Sequence, residues 1–113
     1  MLAVGLLAVS LAALKPETSG IYADDVIAPI ASRIATPRYP RKAILKGIEG
    51  RVVTCFTVNE KGKAEAPVVV ETSNKLFTRP ALTALRASAF TPGSHRGEFV
   101  ASQLCRTFTF RLD

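Results

Sequence analysis

Residues 51–59 alternate. Val52, Thr54, Phe56 and Val58 fall on one side, and Val53, Cys55 and Thr57 on the other. A period of two excludes a helix and requires a strand with two different faces. Asn59-Glu60-Lys61-Gly62 then supplies turn residues, with Gly62 free to take a positive φ. Residues 63–72 return as a second strand with the β-branched run Val68-Val69-Val70. A β-hairpin is therefore predicted at the centre of the chain.

The flanks carry different signals. Pro40 opens a short helical stretch over residues 40–46, where proline costs little in a first turn, and Gly47 and Gly50 close it. After the hairpin, Thr78 is the expected N-cap of a second helix, with Pro80 in its first turn. Ala81, Leu82, Leu85 and Ala89 give that helix an apolar stripe, and Thr91-Pro92-Gly93 ends it. Residues 94–98 read as a loop. Residues 99–112 form a third strand, with Val100, Leu104, Phe108, Phe110 and Leu112 on one face and Ala101, Gln103, Cys105, Thr107, Thr109 and Arg111 on the other. The order helix, strand, strand, helix, strand predicts an α+β fold with helices packed on one face of a small antiparallel sheet.

The N-terminal third reads differently. Residues 1–14 carry no charge, are too short to span a bilayer, and match a signal-peptide apolar core with small residues at Ser10-Leu11-Ala12. No Lys or Arg precedes Lys15, which is unusual for such a leader. Export is the preferred reading, and a buried core helix the plainer one. Residues 15–36 contain Pro16, Gly20, Asp24, Asp25 and Pro29 without sustained periodicity, and read as a tether. Within it, Val26-Ile27-Ala28-Pro29-Ile30 is apolar enough to pack on the domain. The folded domain is placed at residues 37–113.

Cys55 and Cys105 have no His or Cys neighbour at metal-ligand spacing. In an exported chain they read as one disulfide, and in a cytosolic chain as two core thiols. The net charge is +6, with its densest run at Arg33, Arg38, Arg41, Lys42 and Lys46. Such a run is most often a solvated face, and its second reading is attraction to an anionic envelope surface or an acidic peptide. Nucleic acid is excluded as a partner because no aromatic stacking platform accompanies the run.

Taken in order, a set of sparse motifs resembles the TonB C-terminal domain family. They are Pro37-Arg38-Tyr39-Pro40, Ala43 and Gly47, Glu49-Gly50-Arg51-Val52, and Phe56-Thr57-Val58 with Gly62. Ala81, Ala84, Leu85 and Arg86 follow, then Phe90-Thr91-Pro92-Gly93 and Phe108-Thr109-Phe110. The resemblance implies a three-stranded antiparallel sheet in the order 2-1-3 with two helices on one face. It also implies a periplasmic location; association with the membrane is a separate expectation that rests on the apolar N-terminal segment, since the family's membrane anchor is not matched. The function it implies is capture of an extended peptide, such as a segment of an outer-membrane receptor, as an added strand beside the third strand.

Under that order the expected contact residues are Val100, Ala101, Ser102, Gln103, Leu104, Arg106, Thr107 and Phe108, with Thr36, Arg38 and Tyr39 from the motif region. Pro67 agrees with the assignment, because proline within a strand belongs at a sheet edge and spoils that edge as a template. The order also makes the strands of Cys55 and Cys105 neighbours, so a cross-strand disulfide worth about 3–4 kcal/mol is expected if the register aligns them. Two positions depart from the family pattern. Ser88 stands where many members have tryptophan, and Thr36 where the best-known members have glutamine. The tether is also short for bridging the periplasm, so a stand-alone binding domain is expected rather than a full energy transducer.

No residue set supports catalysis. His95 lies in a polar stretch without an orienting partner, and Asp24-Asp25 lies in the tether, where no pocket would shift a carboxyl. Phe56, Phe90, Phe108 and Phe110 read as core, and Arg106 as a snorkelling side chain at the margin of the helix cover. The expectation is a non-enzymatic module with no cofactor and no metal. The alternative is an oligomerising envelope domain that forms homodimers through the same edge.

Overall fold

The computed structural model describes residues 25–113. The apolar segment 1–14 and most of the tether lie outside the described residues. The elements in chain order are β1 (Val26–Ile27), β2 (Ile30–Arg33), α1 (Arg41–Lys46), β3 (Gly50–Val58), β4 (Ala64–Thr72), a 3₁₀ turn (Lys75–Phe77), α2 (Thr78–Ala87), β5 (Ala89–Thr91), β6 (Gly93–His95), β7 (Glu98–Val100) and β8 (Ser102–Phe110). The fold is α+β.

The predicted hairpin forms as β3 and β4. Its turn is organised by Asn59, whose Oδ1 accepts from the N–H groups of Lys61 and Lys63, both at 2.9 Å. Gly62 takes φ 83° and is buried, with its carbonyl accepting from Phe90 N–H at 3.0 Å. A Cβ at this position would come within 2.2 Å of the Phe90 carbonyl oxygen, so close approach as well as dihedral angle requires glycine.

The alternating pattern of β3 translates directly into burial. Val52, Phe56 and Val58 are buried beside Phe108 and Phe110 of β8, Ala81, Ala84 and Leu85 of α2, Ala43 of α1, Phe77 and Phe90. Thr54 shares that face fully buried, and its hydroxyl donates to the Arg106 carbonyl at 3.1 Å. Each large apolar side chain withdrawn from water in this way contributes about 1.5–3 kcal/mol. Phe77 and Phe110 stack at 4.3 Å, and Tyr39 meets both edge-on at 5.7 Å.

The helices differ in how they are held. α1 buries only Ala43 and ends on Gly47 at φ 65°, a left-handed cap. For α2, the expected Thr78 cap is replaced. Thr78 is already helical, and the chain enters through the 3₁₀ turn, whose cap is Asn74 accepting from Leu76 N–H at 2.9 Å. Asn74 captures the role because its side chain is two residues from an unsatisfied donor. At the other end, the Arg33 guanidinium donates to the Ala87 carbonyl at 3.1 Å, a cation at a helix C-terminus.

The principal sheet has the spatial order β4-β3-β8, all antiparallel. Two smaller sheets, β1-β6-β7 and β2-β5, were not anticipated. Residues 26–33, read as tether, therefore pair with the segment after α2. The predicted loop at residues 94–98 is a tight hairpin turning at Arg96 and Gly97, both at positive φ. The predicted third strand is broken at Ala101: Val100 pairs with Gly93 in the small sheet, and the principal strand begins at Ser102.

Candidate edge-strand binding site

β8 is the outer strand of the principal sheet, and among the described residues no strand pairs with its outer side. Its continuous register with β3 runs from Gly50↔Phe110 to Val58↔Ser102, with Cys55 opposite Cys105. The two cysteines form a disulfide with a Cα–Cα distance of 4.0 Å. That spacing belongs to a narrow, non-hydrogen-bonded pair of an antiparallel ladder, since hydrogen-bonded pairs sit near 5.5 Å. The main-chain groups of Cys105 therefore point away from β3. By alternation those of Gln103, Thr107 and Thr109 do as well, leaving a row of outward N–H and C=O groups.

The other side of β3 agrees. Arg51 is paired with Thr109, and its carbonyl and N–H both turn toward the β4 side, meeting Ser73 N–H at 3.0 Å and Ser73 Oγ at 2.8 Å. Gln103, Cys105, Thr107 and Thr109 are also exposed as side chains. Ser102, Leu104, Arg106 and Phe108 have the opposite parity, so their main-chain groups face β3. Phe108 is buried in the core, and Arg106 is exposed. Val100 and Ala101 precede the edge, and Val100 is committed to the small sheet.

The opposite edge is built differently. β4 contains Pro67, lacks one N–H there, and shifts register against β3 twice, once between Val53 and Thr54 and once between Cys55 and Thr57. Ala66 takes φ 49°, an uncommon conformation for a residue with a Cβ, at the second shift. Bulges and proline together make this edge a poor template.

The motif-region residues separate. Thr36 and Arg38 line a groove of about 480 Å³ with Pro37 and, across from them on α2, Arg79, Pro80 and Ala84. Tyr39 faces the other way. It is half-buried, its hydroxyl donates to the Ile48 carbonyl, and burial followed by the nearby Glu49 carboxylate raises its pKa. Its geometry is that of a structural post. Ser88 is buried at the end of α2, donating to the Ala84 carbonyl at 2.7 Å and accepting from Ala35 N–H at 3.0 Å. It thereby ties the motif segment to the helix.

A family model described as the Gram-negative bacterial TonB protein C-terminal matches residues 35–112. The chain belongs to the TonB C-terminal domain family. Protein TonB of Pseudomonas aeruginosa is 34% identical over 96 residues, covering 84% of this chain and 28% of that protein. The chain thus spans little more than a quarter of the length of the curated relative it matches. The solution structure of the Pseudomonas aeruginosa TonB C-terminal domain superposes with a TM-score of 0.64 at 32% identity, over 75% of this chain and 87% of that one. The Helicobacter pylori domain gives 0.53 at 26% identity, over 68% and 70%. The family is non-enzymatic and periplasmic.

Two features of this candidate site escaped the sequence. Thr109 joins the outward row only because of ladder parity, which a strand pattern does not reveal. Arg79 reaches the groove from a helix that had been read for its buried stripe alone.

Proposed function

We propose that this TonB C-terminal domain captures an extended peptide by strand addition at the outer edge of β8, in TonB-dependent transport through outer-membrane receptors. The carrying observation is the outward row at Gln103, Cys105, Thr107 and Thr109, opposed by an edge that Pro67 and two register shifts make unsuitable. An added strand would take its affinity from these main-chain groups and its selectivity from alternate side chains. On the core-side parity those neighbours are Leu104 and Arg106. Thr36 and Arg38, in the groove beside α2, provide a second contact region.

Proline tests the reading because it deletes one N–H without adding bulk to the core. With a synthetic peptide of a receptor's N-terminal periplasmic segment as probe, Gln103→Pro and Thr107→Pro should each weaken capture at least tenfold. The thermal midpoint should stay within a few degrees of the parent. Retained affinity in both variants would exclude strand addition at this edge. The competing outcome is self-pairing: light scattering across a concentration series that gives dimers, lost in the same two variants, would reassign the edge to homodimer formation.

A further inference from the structure

The outward side of α1 combines exposed aliphatic and cationic residues. Leu45 is 75% exposed, the highest value among the large apolar residues described, and its neighbour Ile44 is 49% exposed. Residues advance about 100° per step around a helix. Ala43, the buried residue, therefore defines the inner side, and Leu45 and Arg41 fall opposite it with Ile44 and Lys42 on the flanks. Lys46 occupies the last turn, and no acidic residue lies in the first.

The charges of this patch are uncompensated. None of Arg38, Arg41, Lys42 or Lys46 has an ion-pair partner among the described residues. Glu49, the nearest acid along the chain, accepts from Leu112 N–H at 2.6 Å. The groove lined by Arg38 does not extend onto α1. A protruding pair of aliphatics with cations beside it suits a planar boundary between phosphate and hydrocarbon better than a single peptide side chain.

We infer that α1 is a docking surface for an anionic phospholipid leaflet, with Leu45 and Ile44 entering the headgroup–acyl boundary and Arg41 and Lys42 on the phosphates. The inference is independent of strand addition at β8, because it uses another face of the domain. It deepens the role of the basic run: domain and leaflet would meet by a surface that leaves the β8 edge free to pair.

The test is partition of the full chain onto vesicles of phosphatidylcholine alone and with one-quarter phosphatidylglycerol. Each cation near an anionic surface is worth about fivefold in partition. Partial burial of one leucine is worth about tenfold. Arg41→Glu with Lys42→Glu should therefore lower the phosphatidylglycerol-dependent partition at least tenfold, and Leu45→Ser with Ile44→Ser comparably, with circular dichroism and thermal midpoint unchanged.

A local readout separates this patch from any contribution of the N-terminal segment. The methyl resonances of Ile44 and Leu45 should broaden in nanodiscs carrying an acyl-chain spin label. Unbroadened methyls overturn the inference whatever the bulk partition. So does a loss confined to the charge reversals, equal partition onto both vesicle types, or binding of poly-glutamate with the same variant pattern in place of vesicles.

Discussion

The two edges of one sheet have opposite designs. β4 is interrupted by Pro67, by Ala66 at positive φ and by two register shifts. β8 runs nine residues in unbroken register and is cross-linked to β3. An open edge is a hazard in any sheet protein, and the devices that blunt one stand at β4 and not at β8, as the proposed strand addition at β8 requires. The difference also shows that accessibility and rigidity are separate properties here. β8 is open on its outer side and held by a covalent bond on its inner side.

The largest way to break this contrast is to remove the disulfide. Cys55→Ser with Cys105→Ser frees a loop whose closure is worth about 4 kcal/mol in chain entropy. A strong fall in thermal midpoint is expected, with amide exchange accelerating in β8 more than in β4. Equal acceleration in both strands would mean that the bond stabilises the domain generally rather than the β8 edge.

Gly62→Ala attacks the other strand at its root. The added methyl meets the Phe90 carbonyl at 2.2 Å and must adopt φ near 83°. A loss of about 2–3 kcal/mol is expected from urea titration, with exchange rising first at the start of β4. An unchanged midpoint would show that the turn relaxes without cost.

Repairing the guarded edge sharpens the comparison further. Pro67→Thr with Ala66→Gly should change stability by less than about 1 kcal/mol. It should also introduce concentration-dependent association, measured by sedimentation, that the parent lacks. Absence of new association would leave proline without a protective role.

The smallest effect concerns Tyr39, which props Phe110 at the end of β8. Its phenol titrates higher folded than unfolded, through burial first and Glu49 second. Its contribution is therefore complete below the ordinary phenolic value of about 10 and is lost as pH rises through the raised folded value. Tyr39→Phe should flatten that alkaline limb in a pH series of unfolding midpoints. An identical limb in the variant would assign the pH dependence to another group.

Long periodic elements were legible in the sequence. The β3–β4 hairpin, the existence of α2 with Ala81 and Leu85 on its buried face and the meaning of Pro67 followed from spacing of two or of 3.6 and from one missing donor. Ala89, read as part of the apolar stripe of α2, lies instead in β5 because the helix ends at Ala87. The small sheets were not legible. β1 has two residues and β2 four, too few to display a period, and each pairs with a segment more than fifty residues away. The break at Ala101 was hidden because its flanks both alternate. Arg96-Gly97 lacks the asparagine or aspartate that usually announces a tight hairpin. At the proposed site, the alternation of residues 99–112 placed Gln103 and Thr107 on one face, but only the narrow Cys55–Cys105 pair told which side their N–H groups face.

That pair has a mechanical consequence. A peptide held along β8 and drawn away loads the strand in shear, and a ladder of weak bonds fails by yielding one rung after another. Here the load passes at residue 105 into the central strand through a covalent link, so the tear cannot run past that point. If strand addition at β8 is the mode of capture, the joint between peptide and domain carries no such link, and the peptide would be released under tension while the domain stays whole.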